Sequence, residues 1–256
     1  MSKRSIFTKC IALVALLTLW ACGDDHEPGV TAQTTVTIDF EHFVNGAPVT
    51  LGSETPYTNA AGNSFGVTLL RYFISDVVLH LEGGDTIAVP GAHYVDHDDP
   101  ATRSYVLDVE VPAERLASVS FVMGLPPALN VSGSFSTGPE ALMEWPEMMG
   151  GGYHFMKFEG RYINDASEPF NFRAHTGGLH DVDYSFDVVL DAGNRPLPEG
   201  AATLTVVMNL EQWFTAPHEW DLNDYFTAAM PGIMANAAAQ ESLQDNGATV
   251  FSLETP

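Results

Sequence analysis

The sequence predicts an all-β domain: an antiparallel Greek-key β-sandwich with a short helical segment near the C-terminus. Three observations carry this. Apolar and polar residues alternate with a period of two in many short runs, turn residues divide the runs at fairly regular spacing, and a helical pattern enters only over about the last forty residues. Val36, Ile38, Phe40 and His42 alternate with Thr37, Asp39 and Glu41, giving a first strand whose inner face includes His42. Residues 67–81 hold enough β-branched and aromatic side chains for one long or two short strands. Further strands are predicted over 86–95, 104–111, 117–124, 152–163, 169–175, 182–190 and 202–210. Asn45-Gly46, Gly83-Gly84-Asp85, Pro126-Pro127, Gly177-Gly178 and Asp191-Ala192-Gly193-Asn194 supply the turns. Asp221 or Asn223 then caps a helix carrying Leu222, Phe226 and Met230. Pro231 opens a second helix with Ile233, Met234 and Ala237, and Asn246-Gly247 ends it before Thr249-Val250-Phe251 returns to the sheet.

The first residues are expected to lie outside this domain. Lys3, Arg4 and Lys9 flank an uncharged run from Ile11 to Ala21, shorter than the about 20 residues a bilayer needs and of signal-peptide length. Leu19-Trp20-Ala21-Cys22 resembles a bacterial lipobox, which implies cleavage before Cys22 and acylation of that cysteine. Several acyl chains anchor stably where one would not. Gly23 follows, rather than the aspartate that retains many such proteins at the inner membrane, so the expected place is the outer membrane of a bacterial envelope, facing periplasm or cell surface. The expected organisation is a signal peptide over 1–21, anchor and tether over 22–34, and one domain over 35–256.

Charge and cysteine content exclude whole classes of function. Of 10 basic and 33 acidic residues, the leader holds three basic and no acidic ones; seven against 33 leaves −26, with Lys157 as the remaining lysine. Such a surface repels phosphate backbones, so no nucleic-acid partner is expected, and the membrane is reached through the anchor alone. With Cys10 in the leader and Cys22 lipidated, the domain has no thiol for a disulfide, a zinc site or a nucleophile. G-x-S-x-G, P-loop, G-x-G-x-x-G and H-E-x-x-H motifs are all missing, and no enzymatic role is expected.

The histidines carry more information. His42, His93 and His175 each fall near a strand end, and three imidazoles meeting at one rim would suit copper, as well as zinc, nickel or iron. Taken alone, His42 reads more simply as a hydrogen-bonded core residue, since an unsatisfied buried polar group costs about 1–3 kcal/mol. The segment from Met143 to His154 places three of nine methionines within seven residues, beside Trp145 and His154. Thioether and imidazole donors together favour Cu(I). Met148 and Met149 also read as fillers under a loop, and His154 shares parity with Met156 and Phe158, which leaves core and ligand roles both open. The loop Asp96-His97-Asp98-Asp99 lacks the spacing of an EF-hand and reads as a solvated acidic turn, as do Asp181 and Asp183.

An ordered set of motifs completes the reading: Phe40-Glu41-His42, Tyr57-Thr58-Asn59-Ala60-Ala61-Gly62-Asn63, Leu70-Arg71-Tyr72-Phe73-Ile74-Ser75-Asp76-Val77, His93-Tyr94-Val95-Asp96, Phe121-Val122-Met123-Gly124-Leu125, Asn130-Val131-Ser132-Gly133, Met143-x-Trp145, Gly152-Tyr153-His154-Phe155-Met156-Lys157-Phe158-Glu159-Gly160 and His175-Thr176-Gly177-Gly178. Over roughly residues 35–253 the set resembles the MbnP-like family of periplasmic or surface copper-binding proteins, named after a partner of the copper chelator methanobactin. The resemblance implies an extracytoplasmic β-sandwich that binds one copper ion for uptake, handover or buffering, with a copper-delivery protein or chelator as partner. It marks His42, His93 and His175 as metal ligands, and Met143, Trp145 and His154 as further ligands or neighbours of the site; Asp39 or Asp96 would fix imidazole tautomers. Some relatives oxidise a tryptophan to kynurenine. Phe40 two residues before His42, and Glu147 in place of the second aromatic of an M-x-W-x-W run, depart from that pattern, so the oxidised-ligand chemistry does not follow. The competing reading is a surface module that binds a protein or ligand, its histidines serving structure.

Overall fold

The computed structural model describes residues 32–254. The leader, Cys22 and most of the tether lie outside the described residues, and β1 begins at Gln33, inside the segment expected to be tether. The strands are β1 (Gln33–Val44), β2 (Ala47–Pro48), β3 (Tyr57–Thr58), β4 (Ser64–Leu81), β5 (Thr86–Asp96), β6 (Ser104–Val106), β7 (Val111–Pro112), β8 (Arg115–Met123), β9 (His154–Ile163), β10 (Pro169–Gly177), β11 (Phe186–Pro196), β12 (Gly200–Asn209) and β13 (Phe251–Leu253). Two helices follow β12: α1 (Leu222–Tyr225) and α2 (Ala237–Asn246).

These strands form two sheets of a β-sandwich. One runs β13-β12-β1-β2, with β6 and β7 also on β1; the other runs β10-β9-β4-β8-β11, with β3 and β5 also on β4. Alternation decides which side chains meet between them. On β1, Val36, Ile38, Phe40 and His42 are all buried, and their apolar members share one cluster with Leu70, Tyr72 and Ile74 of β4 and Met156 and Phe158 of β9. A smaller cluster of Phe73, Tyr94, Leu125, Met143, Tyr153 and Phe155 packs on the opposite face of β4. Among the described residues, no helix is long and apolar enough to cross a membrane.

Three departures from the sequence reading have physical causes. β1 and β12 pair in parallel over ten positions, from Thr34↔Gly200 to Phe43↔Asn209, within otherwise antiparallel sheets. The run 104–111 splits in two, because Val106↔Thr37 and Val111↔Thr34 set five steps against three on β1 and leave two extra residues to bulge out. Finally, the first helix stops at Tyr225 and Met230 is exposed. Pro231 and Gly232 pair with the edge of β10 instead of starting a helix: the Arg173 amide donates to the Pro231 carbonyl at 2.9 Å. The second helix starts later, where Asn236 accepts from the Ala239 amide at 3.1 Å.

Gly66 shows how tightly the layers close. The carbonyl of Glu54 lies where a Cβ on Gly66 would sit, so Gly66→Ala must displace backbone. It is expected to lower stability by about 2–3 kcal/mol, read as a fall in the urea midpoint at unchanged slope. Gly83→Ala, with open space around its Cβ, should stay within about 0.5 kcal/mol of the parent.

Candidate metal centre

The structure puts His42 and His93 on either side of Phe40 between the sheets, and His175 elsewhere. His42 lies in the core layer between the sheets. Its Nε2 is 2.9 Å from the Tyr72 hydroxyl and its Nδ1 is 2.9 Å from Nδ1 of His97. Both nitrogens of His42 are therefore engaged. Burial, with His97 and the Arg103 guanidinium adding to it, pushes its pKa down to about 3. His93 sits opposite Ile74 on β4, stacked on Tyr105 at 4.2 Å between ring centres, and its Nε2 donates to the Thr102 carbonyl at 2.7 Å. His175 stands opposite Lys157, on the alternation that points away from the Phe172 and Ala174 core. The three histidines do not meet as one site: among the described residues, no three His, Cys, Asp or Glu side chains are grouped as a metal site needs.

What the fold does assemble is His154 with His175, Trp145 and the Met143 backbone. The bulge at Thr176/Gly177 brings Gly177 opposite His154, and the two imidazole rings meet edge to face with centroids 5.0 Å apart. Trp145 also packs edge to face on His154, 4.7 Å between ring centres, and against Gly177, where a Cβ would lie 2.7 Å from the indole. The segment carrying Trp145 is stapled to the start of β9 by a Glu144↔Tyr153 bridge and by the Trp145 amide donating to the Gly152 carbonyl at 2.9 Å. From below, Gln240 of α2 donates to the His175 carbonyl at 2.8 Å and accepts from the Gly177 amide at 3.3 Å. Trp145, His154 and His175 are only 2%, 4% and 7% exposed.

Each imidazole here has one nitrogen fixed and one free. His154 Nδ1 donates to the Met143 carbonyl at 2.9 Å, and His175 Nε2 donates to Oε1 of Glu159 at 2.9 Å. The opposite atoms, His154 Nε2 and His175 Nδ1, are buried without a hydrogen-bond partner, as is Trp145 Nε1. Fixing the N–H on one nitrogen leaves a lone pair on the other, and a carboxylate behind the ring raises its basicity toward a metal. Burial first, then Lys157 and His175, pushes His154 down to about 3, so it is neutral and ligand-ready at neutral pH. The hydrogen bond from His175 holds the Glu159 carboxyl below its usual range. The donor set fits a soft-to-borderline cation.

Sequence reasoning reached Met143, Trp145, His154 and His175 but missed Glu159 and Gln240 around them, and the contact of His97 with His42. Glu159, rather than Asp39 or Asp96, fixes a tautomer: Asp39 accepts from Ser104 at 2.7 Å and Asp96 pairs with Arg71 at 2.8 Å. His97 stood in an acidic loop whose place beside β1 no local pattern marks, and Gln240 lies 65 residues from the carbonyl it holds.

The lowered basicity of His42 and His154 makes the stability of the fold depend on pH. The unfolded chain takes up protons at His42 and His154 below their usual 6.5, while the folded chain resists down to about 3. Stability is therefore full above pH 6.5 and falls as pH drops toward 3. The metal-free parent should lose more stability between pH 6.5 and 4, by urea titration, than a His42→Gln/His154→Gln variant, whose carboxylates are unchanged.

The comparisons with known proteins agree with this architecture. A search of curated proteins matches none. Among solved structures, MbnP from Methylosinus trichosporium superposes with a TM-score of 0.59 at 15% identity, over 86% of this chain and 98% of that one, a likeness of fold. The family profile for MbnP matches residues 33–235, most of the sequence, and the chain belongs to the MbnP family.

Proposed function

We propose that this chain is an extracytoplasmic copper-binding protein that holds the ion on the buried imidazoles of His154 and His175, for uptake, handover or buffering. The supporting observation is the pair of partnerless buried nitrogens, His154 Nε2 and His175 Nδ1, each on a ring whose other nitrogen is already committed. A lone pair left dry costs stability unless something binds it, so the vacancy of partners is itself a reason to expect a ligand. Membership of the MbnP family supports copper as that ligand. Two neutral imidazoles with no anionic ligand in contact suit the monovalent ion best. Cys22 would tether the domain to the outer membrane by its lipid, and a copper-delivery protein or chelator would be its partner.

His42 and His93 take a supporting place in this reading. His42 is bonded at both nitrogens, with the Arg103 charge close enough to disfavour a cation, and the Nε2 of His93 is spent on Thr102. The alternative, a surface binding module with structural histidines, draws on that same His42–His97 contact.

Titrating the full chain with Cu(I) is expected to give one tightly bound equivalent. His154→Ala/His175→Ala should abolish it while the circular dichroism of the sheets persists. His42→Ala/His97→Ala should lower stability by about 1–3 kcal/mol and keep the copper. Loss of copper in the second variant alone would move the centre to His42; no tight copper in the parent would leave the surface-module reading.

A further inference from the structure

The buried pair needs a way in, and the surface beside it is not ordinary. A cleft of about 330 Å³ is lined by Ser132, Gly133, Glu144, Trp145, Glu147 and Gly152. Its inner wall is Trp145, the same indole that rests on His154. The short turn Glu147–Met149 at its mouth exposes Met148 to 82%, the most exposed large apolar side chain among the described residues. An unbranched thioether held out in water at that level gains nothing from burial, and Met148 packs under no loop. Hydrogen bonds tie the backbone at the cleft: Ser132 Oγ accepts from the Gly152 amide at 2.8 Å and, next to it, Asn130 Oδ1 accepts from the Tyr153 amide at 2.7 Å. Gly150, Gly151 and Gly152 all have positive φ, a path that residues with a Cβ would strain. The indole is held in place by packing on His154 and Gly177. Its Nε1 makes no hydrogen bond, so displacing the side chain breaks none.

Resting on the copper reading above, we propose that this cleft is the entry port of the metal centre: Glu144 and Glu147 draw Cu(I) to the mouth, the Met148 thioether takes it first, and the ion passes Trp145 to reach His154 and His175. Each part has a chemical reason. Carboxylates at a cleft raise the local concentration of a cation, an effect that salt screens. A lone thioether binds Cu(I) selectively over hard cations but weakly enough to release it to two imidazoles. The indole keeps water from the lone pairs once the ion has passed.

A port lowers the barrier in both directions and leaves the equilibrium alone, and this separates it from a ligand. The full chain, mixed anaerobically with Cu(I) as its acetonitrile complex, would be followed by tryptophan fluorescence, which Trp145 makes sensitive to loading. Met148→Ile is expected to slow loading about tenfold, and release by the same factor, with affinity unchanged. Glu144→Gln/Glu147→Gln should slow loading several-fold at low salt and flatten its dependence on ionic strength. All three side chains are exposed, so folding is not at stake. Unchanged rates in both variants would overturn the port, and so would a loss of affinity with the loading rate intact. Failure of the parent itself to take up Cu(I) would instead overturn the copper reading on which the port rests.

Discussion

The eighteen-residue strand β4 carries partners on both of its edges, β3 and β5 on one side and β9 and β8 on the other. A buried strand cannot leave amides and carbonyls unpaired, so this double ladder dictates where its neighbours lie. It sets Tyr72 against Met156 on one edge and Val95 on the other, and thereby places β9 and the end of β5 at one level. β9 pairs with β4 as far as Tyr72 and β8 takes over the same edge from Ile74, while Asp76, with φ of 49°, marks the irregularity in the ladders to β5 and β8. Into the gap between them drop Phe155 and Gly124, so close that a Cβ on Gly124 would meet the ring at 2.7 Å. The segment 139–153, with Trp145, closes over that gap.

The two histidine pairs show how one residue type is put to opposite uses. At His42, hydroxyl, imidazole and imidazole form a chain in which lone pairs and protons are matched, and the ring serves as a polar tie between sheets. At His154 and His175 the same matching is carried out on one nitrogen per ring and left undone on the other. Burial is alike in both places; what differs is the second partner. A carboxylate and a main-chain carbonyl behind the rings, with an indole in front, direct two lone pairs into space that water does not reach.

Much of the sandwich was legible in the sequence because its signals are local. Alternation on β1 foretold the inward face of His42, and turn residues located most strand ends. The helical tail was less legible: Leu222, Phe226 and Met230 keep a helical spacing, but the backbone of 231–232 is worth more as a partner for the open edge of β10 than as a first turn. The site divided along the same line. Trp145, His154 and Met143 lie within twelve residues of one another and could be suspected together. That His175, rather than His93, joins them follows from register and from a bulge, which depend on the hydrogen bonding of strands far apart in the chain.

The parallel pairing of β1 with β12 has a consequence for the order in which the molecule comes into being. Residues 34–43 wait for residues 200–209 before their parallel ladder closes, although β2, β6 and β7 can pair with β1 earlier. Non-local pairing of this kind delays folding. A chain made from its N-terminus therefore leaves one edge of β1 without its long partner until β12 exists, whereas the sheet built on β4 needs nothing beyond residue 196.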